Sequence, residues 1–282
     1  MLTIFAIPKS FEGDIAISQE NAIKSWLLLL PKPQIILFGD EIGIKEISDK
    51  FGIQHVKDVR KNEFGTPLLN WVFDKAKDLA ENNILAYVNS DIILTQDFID
   101  AVSRIKESKF VSFLASGQRE DLDLNKLVDF SKEGCIDNLK KKGIKHGMSG
   151  MDYFIFPRNF SVNLPDFAVG ISGWDSWLVY QTKRLKIPFI DATLLITAIH
   201  QNHLPRHQKK LSYEQEKKEN FKLAGGQINM MSLREADWIL TKDGIKRPGF
   251  PRIIFCKLSL FYPWRMIFLF KRKIDSFMGR ST

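Results

Sequence analysis

The sequence contains few cysteines, and their positions exclude two classes of protein. Cys135 and Cys256 are the only two in 282 residues, and neither belongs to a CxxC pair. Disulfide frameworks and zinc knuckles need more cysteines at closer spacing. We therefore expect neither kind of site, and we expect a reducing compartment.

Long apolar runs are also lacking. No uninterrupted apolar stretch reaches the roughly 18 residues that a membrane-spanning helix needs. The first ten residues hold a short apolar run that stops at Pro8 and has no basic residues before it. This pattern predicts a first strand rather than a signal peptide, and a cytoplasmic protein.

The composition is that of a folded protein with a large core. Hydrophobic residues make up 44% of the chain and 22 residues are Phe, which argues against disorder and predicts one large or two small domains. Lys and Arg outnumber Asp and Glu by 41 to 33, a formal charge of +8. Such an excess suits a phosphorylated small molecule, a phospholipid surface or nucleic acid. We expect no nucleic-acid partner, because no recognition helix, RNP-like strand or zinc pattern is present.

Short apolar runs alternate with helical patterns, which predicts an α/β fold with a mostly parallel central sheet flanked by helices. The predicted strands are 3–7, 34–38, 53–56, 84–88, 110–115, 153–156 and 189–199. The predicted helices are 18–30, 66–80 with Thr66 as N-cap, 95–105 and 173–185. The polar stretch 118–148 predicts one helix with mobile flanks, and 204–222 a loop or a solvated helix.

The strongest local signal is the stretch YVNSDII at residues 87–93. In parallel α/β sheets, ligands collect at the carboxyl ends of the strands. Asn89 and Asp91 follow a predicted strand and, two residues apart, project to the same side. Oxygen donors placed in this way hold Mg²⁺ or Mn²⁺, ions that bridge to diphosphate oxygens. The alternative is a strand-end turn in which both side chains bond their own backbone.

Three later segments add to this signal. They read GMDYFIFP at 150–157, GWDSWL at 173–178 and HQNH at 200–203. With a first strand at the N-terminus, a second strand followed by Asp40 and a D-x-D-like triplet, they resemble the GT-A glycosyltransferases. The resemblance is to the family-2-like members of the nucleotide-diphospho-sugar transferase superfamily. It implies a catalytic GT-A domain over residues 1–240.

The resemblance also implies residue roles. Asn89 and Asp91 fall on the D-x-D motif, which contacts the donor diphosphate and a divalent metal. Asp40 falls where such enzymes bind the nucleobase or ribose, and Asp175 falls where inverting members place the catalytic base. His200 or His203 falls where several members supply a last metal ligand. Asn89 departs from the motif, since its first acid is replaced by an amide, and this weakens the expected affinity for metal.

Further residues are candidates from their own chemistry. Arg119 is expected to pair with a donor phosphate, although a solvated loop arginine is the alternative. Asp152 and Trp174 are expected to contact the acceptor, and a turn is the alternative for Asp152. Asp175 has an alternative role as a helix N-cap. His200 and His203 would point to opposite sides of a strand, so at most one of them is a metal ligand there.

These expectations fit an inverting transfer of a sugar to a hydroxyl of a glycan or lipid-linked acceptor, in cell-surface polysaccharide or glycolipid synthesis. Such a transfer needs a carboxylate base and an offset for the charge of the departing diphosphate. A nucleotidyltransferase is less favoured, because residues 8–13 hold one lysine and lack a glycine- and cation-rich phosphate loop. A non-catalytic nucleotide-sugar or glycan-binding module is the third possibility, suggested by Asn89.

The C-terminal segment, residues 241–282, has a different character. Residues 250–270 are apolar but interrupted by Lys257, Pro263 and Arg265, and the basic run 271–273 follows. This mixture predicts a helix that lies on anionic lipid, and peripheral contact with the inner face of a membrane. The alternative is a helix docked on the catalytic domain.

Overall fold

A nine-stranded sheet forms the centre of the computed structural model, which describes residues 1–202 and 212–260. In spatial order its strands are β13 (Gly244–Lys246), β12 (Trp238–Thr241), β10 (Phe189–Asp191), β6 (Leu114–Ser116), β9 (Tyr153–Pro157), β4 (Ile84–Val88), β1 (Leu2–Ala6), β2 (Gln34–Phe38) and β3 (Gln54–Val56). β9 and β13 run antiparallel to their neighbours and the other pairs are parallel. The prediction of a mostly parallel sheet is confirmed.

A second, smaller sheet lies at the carboxyl end of β4. Its strands, in spatial order, are β5 (Ile92–Leu94), β11 (Ala198–Gln201), β7 (Glu120–Leu122) and β8 (Ile144–Lys145). β11 is antiparallel to β5 and parallel to β7, and β8 is antiparallel to β7. Since β5 begins four residues after β4 ends, this sheet stands directly beside the turn that carries Asn89 and Asp91.

Two buried clusters pack on the two faces of the large sheet. Alternation along β1 places Ile4 in one cluster and Phe5 in the other, as expected for a strand covered on both sides. The helices of the described residues are α1 (Gly13–Leu27), α2 (Ile44–Phe51), α3 (Leu69–Leu79), α4 (Asp97–Lys106), α5 (Cys135–Lys142), α6 (Trp174–Arg184), α7 (Tyr213–Leu223) and α8 (Phe250–Leu258).

An aromatic group fixes the start of α6 against β4. The ring of Trp174 lies edge-on to Tyr87, with centroids 5.2 Å apart, and edge-on to Phe154 at 5.3 Å. Phe73 contacts both Tyr87 and Trp174. Each such pair is worth about 0.5–1.5 kcal/mol beyond area burial, so the first turn of α6 is held firmly beside the carboxyl end of β4.

Four predictions for individual segments were wrong. Residues 189–199 form no single strand, because Asp191 accepts bonds from the backbone N–H and the hydroxyl of Thr193, and this turn ends β10 before β11 joins the other sheet. Residues 118–148 contain β7 and β8 as well as the expected helix. β5 was not predicted. Leu68, rather than Thr66, is the N-cap of α3.

The C-terminal segment is described only as far as residue 260. Within it, α8 docks on the rest of the protein: Arg252 Nη2 donates to Asp191 Oδ2 at 2.9 Å, and Cys256 Sγ lies 3.3 Å from the carbonyl oxygen of Ala236. The predicted docked helix therefore accounts for residues 250–258. No helix in the described ranges has the length and hydropathy to cross a membrane.

Candidate active site

A cleft of about 600 Å³ opens at the carboxyl ends of β1 and β4. One wall is the loop of residues 7–10 that follows β1, and the floor is the turn of residues 89–91 that follows β4. The carboxyl edge of a parallel sheet is where α/β proteins bind ligands. The cleft is therefore our candidate active site.

The end of the cleft beside β2 is polar. Ser10 donates to Glu41 at 3.0 Å, and both side chains line the wall together with Gly39. Asp40, the residue expected to bind nucleobase or ribose, is exposed and pairs with Lys61 instead. The strand end was predicted correctly, but the sequence does not tell which of two neighbouring acids lines the cleft.

Helix α1 holds the turn that forms the floor. Gln19 is 1% exposed, and its Oε1 accepts from the hydroxyl of Ser90 at 2.8 Å and from the backbone N–H of Lys9 at 2.7 Å. Its Nε2 donates to the carbonyl of Lys9 at 2.9 Å. One buried amide therefore joins the two loops that line the cleft.

Asp91 and His200 approach each other through strand pairing. β11 pairs with β5 so that His200 lies opposite Ile92, the residue after Asp91. Nε2 of His200 is 3.8 Å from Oδ2 of Asp91, and Nδ1 of His200 is 3.3 Å from Oδ1 of Asp121. Gln201 donates to the backbone carbonyl of Asp91 at 3.0 Å, which fixes the turn against the strand.

Arg119 connects two carboxylates at the other end of the cleft. It donates from Nη1 to Asp152 and from Nε to Asp121, each at 2.8 Å. Burial alone would lower the pKa of the Arg119 guanidinium, but these two carboxylates outweigh burial and raise that pKa. Asp152 also accepts from the side-chain amide of Asn89 at 2.6 Å.

Asp121 was missed by sequence analysis because it lies in a polar stretch without a motif. His146 Nδ1 contacts its Oδ2 at 2.6 Å, while Arg119 and His200 contact Oδ1. Burial raises the pKa of the Asp121 carboxyl, but the bond from His146 and the charge of Arg119 reverse the effect, and the net pKa is lowered. An ionised Asp121 thus holds His146 in place through a hydrogen bond and lies beside His200.

Asp175 stands at the start of α6 and is not one of the residues that line the cleft. Burial, and then the charge of nearby Asp152, raise the pKa of Asp175 to about 6, although its carboxylate accepts from the backbone N–H of Ser176 at 2.8 Å. Tyr87, which lines the cleft, has a raised pKa because of burial and then the charges of Asp91, Asp152 and Asp175. No cationic side chain pairs with Asp175 within the described residues.

The structure brings part of the predicted set together. The predicted residues that line the cleft are Asn89, Asp91, Arg119, Asp152 and His200. The side chain of Trp174 is 6% exposed and belongs to the core, so its ring is placed for packing rather than for contact with an acceptor. His203 lies outside the described residues.

A metal site is incomplete within the described ranges. No group of three or more His, Cys, Asp or Glu side chains there is arranged to hold an ion. Asp91 and His200 nevertheless present an oxygen and a nitrogen 3.8 Å apart. Mg²⁺ in nucleotide sites often takes one or two protein ligands and completes its shell with phosphate and water, so this pair is compatible with a divalent cation.

Comparisons with known proteins agree with this architecture. No protein-family model matches the sequence, and no curated protein matches it. TarS residues 1–349 from S. aureus, in complex with UDP-GlcNAc, is similar in structure with a TM-score of 0.50 and 13% identity, over 80% of this chain and 66% of that chain. Glucosyl-3-phosphoglycerate synthase from Mycobacterium tuberculosis, in complex with Mn²⁺, UDP and phosphoglyceric acid, has a TM-score of 0.47 and 13% identity, over 80% and 79%. The likeness to TarS shows the fold, and the predicted GT-A glycosyltransferase fold is confirmed.

Proposed function

We propose that this protein is a glycosyltransferase that moves a sugar from a nucleoside-diphosphate sugar to a hydroxyl group, with inversion at the anomeric carbon. The observation that carries the proposal is the position of Asp91 and His200, which stand together at the floor of the cleft in a GT-A fold. TarS was solved with UDP-GlcNAc, and a donor of that chemical class suits the polar side chains that line this cleft.

The donor is proposed to lie along the sheet edge. Its nucleoside would occupy the end formed by Ser10, Gly39 and Glu41, where hydroxyl and carboxylate groups suit a ribose. Its diphosphate would then reach the turn of residues 89–91, with Lys9 on the same wall. Glu41 therefore replaces Asp40 as the acid that we expect to contact the nucleoside.

Asp91 and His200 would hold Mn²⁺ or Mg²⁺ together with oxygens of the diphosphate. When bound, the cation supplies positive charge that stabilises the leaving diphosphate. Nδ1 of His200 lies beside Asp121, so Nε2 is the nitrogen nearer to Asp91. Arg119 already forms ion pairs with Asp152 and Asp121. Only part of its positive charge would therefore be available to a phosphate of the donor.

Asp175 is the better of two carboxylates as the catalytic base. Asp152 lines the cleft but accepts from Arg119 and Asn89, and bonds of this kind reduce the basicity of a carboxylate. Asp175 is bonded by backbone N–H alone among the described residues, and burial gives it a pKa of about 6. It is therefore ionised at neutral pH and binds a proton more readily than an ordinary aspartate.

Asp152 would then orient the acceptor. It is 8% exposed, lies between Asn89 and Arg119, and faces the end of the cleft away from the nucleoside. An acceptor hydroxyl at that end could donate to it while the attacking oxygen is turned toward Asp175. A glycan or a lipid-linked sugar provides such hydroxyls.

Peripheral contact with the inner face of a membrane forms part of the proposal. Phe250, Ile254 and Leu258 are four residues apart, so they share one face of α8, and they are 73%, 42% and 36% exposed. Lys257 is exposed beside them. An apolar face bordered by cations suits the surface of an anionic bilayer.

A non-catalytic sugar-nucleotide-binding module is the second candidate. It is favoured by one observation: the amide of Asn89 is engaged with Asp152, so the first position of the motif supplies no carboxylate. A turnover measurement separates the two functions. A nucleotidyltransferase gains no support, since Lys9 is the one cation of the loop at residues 8–13.

Thermal shift with a panel of nucleoside-diphosphate sugars, with and without Mn²⁺, tests the proposal. One donor class should raise the melting temperature, and more so with Mn²⁺, since a ligand that binds the native state alone stabilises it. The exposed acid Asp58 provides the control: Asp91→Ala should lose the Mn²⁺-dependent part of the shift, while Asp58→Ala keeps it. No shift with any nucleotide sugar would refute the proposal.

A further inference from the structure

The acceptor end of the cleft is bordered by a basic and apolar rim, formed by Lys141, Lys142, Ile144, Lys145 and Met148. Ile144 is 74% exposed and Met148 36% exposed, and the three lysines are exposed as well. We call these five residues the hairpin rim: they lie at the end of α5, in β8 and just after it, where β8 pairs antiparallel with β7. Ile144 is among the more exposed apolar side chains of the described residues, and exposed lysines stand on both sides of it, Lys142 and Lys145.

The hairpin rim is coupled to the cleft by short contacts. Ile144 pairs in register with Asp121, which holds His146, Arg119 and His200. Gln118 donates to the carbonyl of His146 at 2.7 Å. The rim therefore stands one strand away from side chains of the candidate site, at the end opposite to the nucleoside.

The hairpin rim also neighbours α8. Leu233 donates its backbone N–H to the carbonyl of Met148 at 3.1 Å, and its own carbonyl accepts from Arg252 of α8. Leu233 thus connects the loop after β8 to α8, the helix that exposes Phe250 and Ile254. The hairpin rim, with three exposed lysines, and the exposed face of α8, with Lys257, are thus connected through Leu233.

We propose that the hairpin rim binds the surface of an anionic lipid bilayer and so presents the cleft to an acceptor held in that bilayer. The inference rests on the proposed function, since it places the acceptor at this end. Charge complementarity identifies the occupant: lysines attract anionic headgroups, while Ile144 and Met148 enter the interface between headgroups and acyl chains. A second copy of the chain is disfavoured, because two such rims would repel each other.

The test is sedimentation of the full chain with vesicles of equal parts phosphatidylglycerol and phosphatidylcholine. The rim variant carries Lys141→Glu, Lys142→Glu and Ile144→Ser, which avoids Lys145 because that residue faces Glu120 in the strand pair. We expect its affinity for these vesicles to fall by on the order of tenfold or more. Wild-type binding should weaken as salt is raised, and pure phosphatidylcholine should bind poorly.

A matched control exists elsewhere on the surface. Lys106→Glu, Lys109→Glu and Val111→Ser likewise replace two lysines and one exposed β-branched apolar residue, near the C-terminal end of α4, and all three positions are exposed. This control should bind the vesicles like wild type. Equal binding by the rim variant, equal loss in the control, or absence of wild-type binding would each overturn the proposal.

A nucleotide-sugar thermal shift on the same samples distinguishes failure of this inference from failure of the proposed function. The rim variant should keep the shift of wild type, since none of its three positions lines the cleft. If the rim variant shows a normal thermal shift and unchanged vesicle binding, the membrane role of the hairpin rim is refuted and the proposed transferase function stands. If the wild type shows no thermal shift with any nucleotide sugar, the proposed transferase function is itself refuted.

Discussion

The hydroxyl of Ser90 donates to the side-chain oxygen of Gln19 at 2.8 Å, and this bond ties the first helix to the floor of the cleft. Both residues are buried, at 8% and 1% exposure. Since Gln19 also bonds both polar backbone groups of Lys9, it joins the two loops that line the nucleotide end.

This relationship predicts the effect of Ser90→Ala. Removal of the hydroxyl should cost about 0.5–1.5 kcal/mol of unfolding free energy, the usual net value of a hydrogen bond, and should raise the donor KM several-fold because the floor loses an anchor. Ser25→Ala is the control. Ser25 lies in α1, like Gln19, and its buried hydroxyl accepts from the backbone N–H of Leu94, which does not line the cleft. Denaturant curves and donor titrations should show similar stability losses but a KM change in Ser90→Ala alone.

Asn89→Asp restores the first carboxylate of the D-x-D motif, but we expect it to destabilise the protein when no metal is bound. The amide of Asn89 donates to Asp152 at 2.6 Å, so a carboxylate there would lose that bond and repel its neighbour. We expect a loss of about 1–3 kcal/mol of stability in EDTA. Mn²⁺ should restore part of this loss if Asp91 and the new carboxylate share the ion.

Melting curves of Asn89→Asp with EDTA and with Mn²⁺ measure both effects. Asn83→Asp, on the loop before β4, is a control for the change of charge. Recovery by Mn²⁺ in both variants, or in neither, would argue against a metal at this turn.

The pKa of Asp175 predicts a pH dependence of stability. A carboxyl whose pKa is raised in the folded state binds its proton more tightly there, so its stabilising contribution is present below pH 4 and is lost as pH rises to about 6. Asp175→Asn should therefore match wild type near pH 4 and exceed it by about 1–3 kcal/mol at pH 7. Urea unfolding at the two pH values checks this, and equal stability differences at both would contradict it.

The docking of α8 predicts where the chain tolerates truncation. Asp191 is 6% exposed and pairs with Arg252, so a chain that ends at residue 249 should lose about 1–3 kcal/mol because a buried carboxylate loses its cation. A chain that ends at residue 260 keeps this pair and should keep its stability. Thermal melts of the two truncated chains compare them directly. Equal melting temperatures would show that the pair contributes nothing measurable.

Sequence patterns predicted the strands and helices that are long enough to show an apolar run or period of their own. β2 and β4 begin and end at the predicted residues because they are apolar runs covered on both faces, and α6 begins at Trp174 after Gly173 as expected. β5, β7 and β8 have three residues or fewer, too short to show a period. Three of the four strands of the second sheet therefore left no signal that periodicity detects.

Residues of the candidate site, too, could be predicted from the sequence only where a local pattern marks them. Asn89, Asp91 and Asp152 were predicted because they follow strands or lie in recognisable segments, and all three line the cleft. Asp121 was missed because its role depends on β7 pairing with β11, a contact between residues about 80 positions apart along the chain. Trp174 was misplaced because an aromatic residue beside a candidate base looks the same in sequence whether it faces a ligand or the core.

The most direct test of the account is the rate at which nucleoside diphosphate is released from the best-binding nucleotide sugar, in the presence of acceptor lipids or glycans. Wild type should turn over, and Asp175→Asn should bind the donor normally but release product about 10²- to 10⁴-fold more slowly, the usual contribution of general-base catalysis. Asp14→Asn, an exposed acid in the first turn of α1, should react like wild type. Equal rates for Asp175→Asn and wild type would contradict the assignment of the base, and absence of turnover in the wild type with a donor that binds would contradict transfer itself.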